Sequence, residues 1–256
     1  MYIICIQFDL VWENPPANHA LADALVASAE PRPGDLVLLP EMFATGFTMD
    51  ASAAAEQPGG PTRQYLSRLA ERHEAYVLGG LATARGSGAR NEAVLVGPGG
   101  QELARYAKMH TFSLAGEGDH YDAGREVVVG RAGDVTVAPA ICYDLRFPGL
   151  FRAAARRGAE VLAVIANWPA DRAGHWRTLL RARAIENQAY VAGVNRCGRD
   201  PNTSYAGGSL IVDPRGRALA EAGDEQGAIR AEVDVDALRT WRREFPALRD
   251  MRDDLA

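Results

Sequence analysis

Cys142, Glu41 and Lys108 are the residues of this chain whose types and settings suit chemistry. Cys142 ends the apolar, strand-like run Ala138 to Ile141 and precedes the polar Tyr143-Asp144, after which a helical pattern begins. A side chain at such a sharp strand-to-helix turn is lifted out of its sheet, close to helix N-terminal amides and the positive end of the helix dipole. These surroundings favour a thiolate, and also the oxyanion formed when a thiolate attacks a carbonyl. A free Cys at a strand end is otherwise an inert small hydrophobe. Glu41 follows the nearly continuous apolar run Asp35 to Pro40, which puts a carboxylate at the C-terminal end of a strand, where open α/β sheets bind ligands. Lys108 sits in Tyr106-Ala107-Lys108-Met109-His110, among small, apolar and aromatic neighbours instead of the charges of a solvated face, and is expected to point into an enclosed space.

The segments Leu39-Pro40-Glu41, Tyr106 to His110 and Ile141-Cys142-Tyr143-Asp144-Leu145-Arg146-Phe147-Pro148 resemble, in order and separation, the three catalytic blocks of the nitrilase superfamily of carbon–nitrogen hydrolases. The resemblance extends from the opening strand to Ile211-Val212-Asp213-Pro214. Ala166-Asn167-Trp168-Pro169 and the run Arg181 to Gln188 are similar to the branch that contains omega-amidases. It implies an α-β-β-α four-layer sandwich, usually paired into dimers, and a Glu41–Lys108–Cys142 triad that hydrolyses a C–N bond through a Cys142 thioester without metal or organic cofactor. The triad would serve amides, nitriles and N-carbamoyl compounds alike. The omega-amidase likeness selects a small carboxylated amide such as 2-oxoglutaramate or 2-oxosuccinamate. The broader nitrilase resemblance makes Glu117, in a Gly-rich loop, a candidate to orient the lysine and substrate, with a solvated loop acid as the alternative. Arg146 is a candidate for pairing with a substrate carboxylate or for a structural salt bridge. Phe43, Tyr143 and Trp168 follow strand ends and are candidates to wall the pocket, or else core residues. Glu186 reads as structural.

The elements needed to position these groups alternate along the chain. Strands are expected at Ile3 to Phe8, Asp35 to Leu39, Ala75 to Leu81, Ala93 to Val96, around Val127, at Val135 to Ile141, Val161 to Ile165, Tyr190 to Asn195 and Ser209 to Asp213. Helices are expected at Ala20 to Ala29, Pro61 to His73, Phe147 to Arg157 and His175 to Gln188. Periodicity by itself gives an α/β fold with covered sheets, the very apolar Val161 to Ile165 reading as a central strand. Gly99-Gly100 suggests a hairpin turn and a partly antiparallel sheet. The pattern ending at Glu41 is faintly repeated in the one ending at Asn167, as two sheet halves packed face to face would require.

The bulk properties set limits. A content of 47% hydrophobic residues is ample for a core, and no linker or charge boundary divides residues 1–256, so a single domain is expected. A net charge of −5 argues against a broad nucleic-acid footprint while leaving room for a locally positive pocket. Cys5, Cys142 and Cys197 form no disulfide or metal pattern, and Cys5 and Cys197 receive no role. The N-terminal run lacks the features of a signal peptide, and no apolar stretch reaches a membrane span of about twenty residues. A cytoplasmic, reduced setting and a homodimer or higher homo-oligomer with a small-molecule amide as partner are the expectation. Two readings compete: a Cys–His hydrolase using His110, His120 or His175, although no papain or caspase signature surrounds the thiol, and a binding module with an inert Cys142. A metal hydrolase lacks any His-x-x-x-His or Cys-rich cluster.

Overall fold

Alternate residues of β1 (Tyr2–Gln7) point to opposite faces, and both faces are apolar. Ile4 and Ile6 pack with Leu66, Leu69 and Ala22 of the helices that cover one side. Ile3 and Cys5 pack with Val137, Leu162 and Val164 of a second sheet. Burial on both faces is what makes these strands continuous hydrophobic runs, and it accounts for Cys5 as a small hydrophobe between the sheets. A computed structural model describes residues 1–252 of the chain.

The remaining strands are β2 (Leu36–Leu38), β3 (Tyr76–Arg85), β4 (Gly88–Val96), β5 (Glu102–Ala107), β6 (Gly130–Ala132), β7 (Val135–Ile141), β8 (Val161–Ala166), β9 (Tyr190–Asn195), β10 (Cys197–Arg199), β11 (Ser204–Ala206), β12 (Leu210–Val212), β13 (Ala218–Glu221) and β14 (Gly227–Glu232). The helices are α1 (Pro15–Ala29), α2 (Ala51–Ala54), α3 (Pro61–His73), α4 (Pro148–Arg156), α5 (Ala173–Asn187) and α6 (Val235–Glu244). One six-stranded sheet has the order β14-β1-β2-β3-β4-β5 and the other β13-β12-β9-β8-β7-β6, with β10-β11 as a separate hairpin. Helices α1 and α3 lie on the first sheet, and α4 and α5 on the second, which gives the α-β-β-α sandwich that the sequence resemblance implies.

The differences from the sequence expectation have local causes. Helix α1 begins at Pro15, earlier than Ala20, because the Asn14 side chain caps it by accepting from Ala17 N and prolines occupy its first turn. Strands β3 and β4 run on to meet in a hairpin between Arg85 and Gly88, in addition to the turn at Gly99-Gly100. The strand expected around Val127 lies instead at Gly130–Ala132, where pairing with β7 becomes available. Strands β13 and β14 and helix α6, absent from the sequence reading, complete the sheet edges and the C-terminal layer. No helix among the described residues is long and apolar enough to cross a membrane.

Candidate active site

Strands β2, β7 and β8 run parallel within their sheets and deliver their C-terminal ends to one region. After β2 the chain turns sharply at Glu41, with Met42 in the left-handed region at φ 42°. The turn lies so close to β3 that a Cβ on Gly80 would stand 2.6 Å from the Glu41 Cα and the Met42 nitrogen, so this position accepts only glycine without a backbone shift. Cys142 follows β7 and itself has φ 46°, a strained value for an L residue. It opens a one-turn 3-10 segment, Cys142–Arg146, and Pro148 then starts α4. The strain is held by Asp144, a buried carboxylate that accepts from Ile141 N at 3.0 Å, Tyr106 Oη at 2.7 Å, His110 N at 3.0 Å and His110 Nδ1 at 2.8 Å. Asp144 thereby ties the thiol's turn to the segment that carries Lys108.

Around the thiol, Glu41, Lys108 and Glu117 are all buried. Lys108 Nζ donates to Glu41 Oε1 at 2.9 Å and lies 2.8 Å from Glu117 Oε2. Glu117 also accepts from Phe112 N at 2.6 Å, so it is a buried partner of the lysine and not a solvated loop acid. Asn167, at the end of β8, donates its backbone N–H to Glu41 Oε2 at 2.9 Å and its Nδ2 to the Glu41 carbonyl at 2.7 Å. The Cys142 Sγ–H points to the Asn167 carbonyl at 3.7 Å, which makes Asn167 the neighbour of both carboxylate and thiol.

The electrostatics correct the expectation of a thiolate. Burial, and behind it the Glu41 carboxylate, pushes the Cys142 thiol well above its usual range against the pull of Lys108. Burial pulls the Lys108 ammonium down, but the charges of Glu41 and Glu117 outweigh it and hold the group above a free lysine. Two carboxylates to one ammonium leave a surplus of negative charge beside the sulfur, and a single 3-10 turn supplies a much smaller dipole than a long helix. Burial and the neighbouring carboxylate both favour the neutral thiol, which then loses its proton as it attacks.

The thiol opens into a cavity of about 370 Å³. Lys108, Cys142 and Tyr143 line it with the aromatic side chains of Trp12, Phe47, Phe112 and Trp168 and with the β10–β11 hairpin residues Asp200, Asn202, Thr203 and Tyr205. The hairpin tip is held by Asp200, which accepts from Asn202 N, Thr203 N and Tyr205 Oη. Two guanidinium groups reach the cavity. Arg146 lies over the Trp168 ring, 4.9 Å from its centroid, and Arg172 over the Phe112 ring at 5.5 Å. Arg146 contacts His175 Nδ1 at 3.3 Å, and among the described residues no carboxylate pairs with it, which removes the structural salt bridge as its role. A larger open groove, about 610 Å³, lies beside α3 among the mutually paired Arg63, Arg105, Glu92 and Glu102, away from the thiol.

Of the residues expected at the site, Glu41, Lys108, Glu117, Cys142, Tyr143, Arg146 and Trp168 come together. Phe43 does not: the turn at Met42 sends it to the helix side of the first sheet, where it packs with His19 and Tyr65. His110 is occupied by Asp144 and stacks on Phe147 at 3.8 Å, while His120 and His175 are exposed, so no histidine is paired with the thiol. Asn91, Asn167, Asp144, Arg172 and the β10–β11 hairpin were not marked by the sequence as site residues. Among the described residues no group of three or more His, Cys, Asp or Glu side chains is placed to hold a metal ion. As a device the arrangement offers a nucleophile, an adjacent proton acceptor, and a fixed cation where a carbonyl oxygen would become negative.

The carbon–nitrogen hydrolase family model matches residues 4–243. The chain is 36% identical over 255 residues to the 2-oxoglutaramate amidase of Bacillus subtilis (strain 168), covering 99% of this chain and 98% of that one. It is 43% identical over 247 residues to the omega-amidase YafV of Yersinia enterocolitica, covering 96% and 94%. Among solved structures, XC1258 of Xanthomonas campestris, a CN-hydrolase superfamily protein with an arsenic adduct in its active site, superposes with a TM-score of 0.93 at 34% identity, covering 99% and 97%. A cysteine-to-alanine mutant of the amidase from Nesterenkonia sp. AN1, in complex with butyramide, gives 0.83 at 30% identity, covering 96% and 95%.

Proposed function

Since the chain belongs to the carbon–nitrogen hydrolase family and hydrolyses amides, we propose that it is an omega-amidase, a single-domain enzyme that releases ammonia from 2-oxoglutaramate and 2-oxosuccinamate. The observation that carries the substrate class is Arg146, a guanidinium with no carboxylate partner among the described residues, which reaches the same cavity as the thiol and lies over the Trp168 ring, 4.9 Å from its centroid. A planar fork of donors suits a carboxylate. Arg172 adds a second positive group to that cavity, and the relatives described as omega-amidase and 2-oxoglutaramate amidase match over nearly their whole length.

In this reading Glu41 takes the proton of the Cys142 thiol as sulfur bonds to the amide carbon, and the carbonyl π electrons move to oxygen. Lys108 and the Tyr143 backbone N–H stabilise that oxyanion, and Glu117 holds the lysine in place. As the C–N bond breaks, Glu41 returns the proton to nitrogen and ammonia leaves, with the acyl group on sulfur as a thioester. Water then gives a proton to Glu41 and attacks the thioester carbon. The carboxylic acid departs and the proton returns to sulfur. Losing one oxyanion donor of this kind costs about 2.7–4 kcal/mol.

The same reading places the enzyme in the cytoplasm, where a working thiol stays reduced. It includes assembly into a homodimer or higher homo-oligomer, to which the exposed Ile185 of α5 and Phe245 after α6 are suited. Ammonia release from a panel of 2-oxo dicarboxylic monoamides, neutral amides, nitriles and N-carbamoyl compounds tests the proposal, with Cys142→Ala as the control. The expected result is release from the carboxylated amides, abolished in the variant. Turnover confined to nitriles or carbamoyl compounds would overturn it.

A further inference from the structure

Glu41 and Glu117 are two buried carboxylates sharing one ammonium, so Lys108 alone leaves their negative charge only half balanced. A second donor reaches the same two oxygens. Asn91 Nδ2 donates to Glu41 Oε1 at 2.7 Å and to Glu117 Oε1 at 3.0 Å, matching the Lys108 Nζ contacts to those atoms at 2.9 Å each. Two donors and two acceptors thus form a closed ring, with Asn91 1% exposed. The backbone of the same residue also fixes the lysine, since Lys108 N donates to the Asn91 carbonyl at 2.9 Å.

A carboxamide has two N–H groups and no charge. A cation at this position would quench the base, and a carboxylate would add a third negative charge to the cluster. Asn91 Oδ1, by contrast, is buried with no protein partner among the described residues. An orphaned acceptor is a cost to the fold, so this amide is kept for its two N–H groups. It is absent from the cavity lining and would not touch a substrate.

We propose that Asn91 is a positioning residue of the hydrolysis, bridging Glu41 and Glu117 so that both stay on Lys108 while Glu41 is aimed at the thiol. The inference rests on the proposed roles of Glu41, Lys108 and Cys142 and is independent of which amide is the substrate. Exchange of charge between positions tests it, comparing Asn91→Leu, Asn91→Asp, Glu117→Gln and the combination Asn91→Asp with Glu117→Gln. In Asn91→Leu, kcat is expected to fall about a hundredfold with KM within about threefold, because the groups that move act on the reacting atoms and not on the bound substrate. Asn91→Asp keeps the shape and is expected to lose more. Adding Glu117→Gln to it restores the original count of acids and amides and is expected to recover at least tenfold over Asn91→Asp alone.

Alkylation of Cys142 by iodoacetamide at fixed pH gives a second readout that needs no amide. It should slow severalfold in Asn91→Asp and recover in the combination. The proposal is overturned if Asn91→Leu retains kcat, or if the combination is no faster than Asn91→Asp in both readouts. If Asn91→Leu does not fold, the isosteric Asp variants carry the test. Should the alkylation pattern appear in a protein that hydrolyses none of the amides offered, the omega-amidase reading fails and the Asn91 inference stands.

Discussion

Asp144→Asn is the substitution that most sharply separates a built nucleophile turn from an incidental one. Asp144 accepts from four donors, and two of them, Ile141 N and His110 N, are backbone groups that cannot rotate away. Oδ1 serves both His110 donors and Oδ2 serves Ile141 N and Tyr106 Oη. An amide can keep its oxygen toward His110, but its NH2 then faces Ile141 N, and one buried N–H is left unpaired. That loss is about 1–3 kcal/mol, or about 2–4 °C in Tm for each kcal/mol in a chain of this size. Cys142 is held at φ 46° by this anchor, and relaxing it moves the sulfur relative to Lys108. A misplacement of about 1 Å costs on the order of a hundredfold in rate. The assay is kcat at 25 °C, well below the transition, beside a thermal melt. The expected result is a modest drop in Tm with a kcat loss far larger than any change in folded fraction. A kcat within twofold of the parent, or a loss that simply follows unfolding, would refute the argument.

Two further predictions concern the cavity and the thiols. For Arg146→Met, losing a charge-assisted contact worth about 1.5–3 kcal/mol should raise KM for carboxylated amides roughly ten- to a hundredfold and leave neutral amides unaffected; equal effects on both classes would exclude a carboxylate contact. Burial raises Cys197 from 9.0 to about 11, ahead of the Asp9 charge. Its neutral form therefore contributes stability that is full below pH 9 and is lost as pH rises through 11. Melts should show a shallower decline over that window in Cys197→Ala than in the parent, and identical slopes would contradict the assignment.

Much of this site was legible because three reactive side chains each follow a strand or close one, and strand ends are readable from apolar runs that stop. Glu41 and Cys142 were found that way, Lys108 by its small, apolar and aromatic neighbours, and the family resemblance supplied their order and Glu117. The failures are equally specific. Phe43 was a candidate pocket wall because it follows a strand end, with a core position as the alternative, and the left-handed turn at Met42 puts it in the core, since a φ angle is not written in a Met. The cavity walls Trp12, Phe47, Phe112 and the β10–β11 hairpin come from loops, whose meeting depends on the tertiary fold. Asn91 stands between Arg90 and Glu92 in β4, in a polar stretch that gives it no prominence, and only its hydrogen bonds to Glu41 and Glu117 distinguish it. The surroundings expected to favour a thiolate are outweighed first by the burial of the sulfur and then by the Glu41 carboxylate beside it, neither of which is visible in the residues around Cys142.

The most direct measurement is mass spectrometry of the enzyme quenched in acid during turnover of 2-oxoglutaramate. The account predicts that the peptide containing Cys142 gains the mass of the acyl group, with ammonia released in step, and that the adduct vanishes in Cys142→Ala. Full turnover with no adduct on that peptide, or an adduct on Cys5 or Cys197, would contradict it.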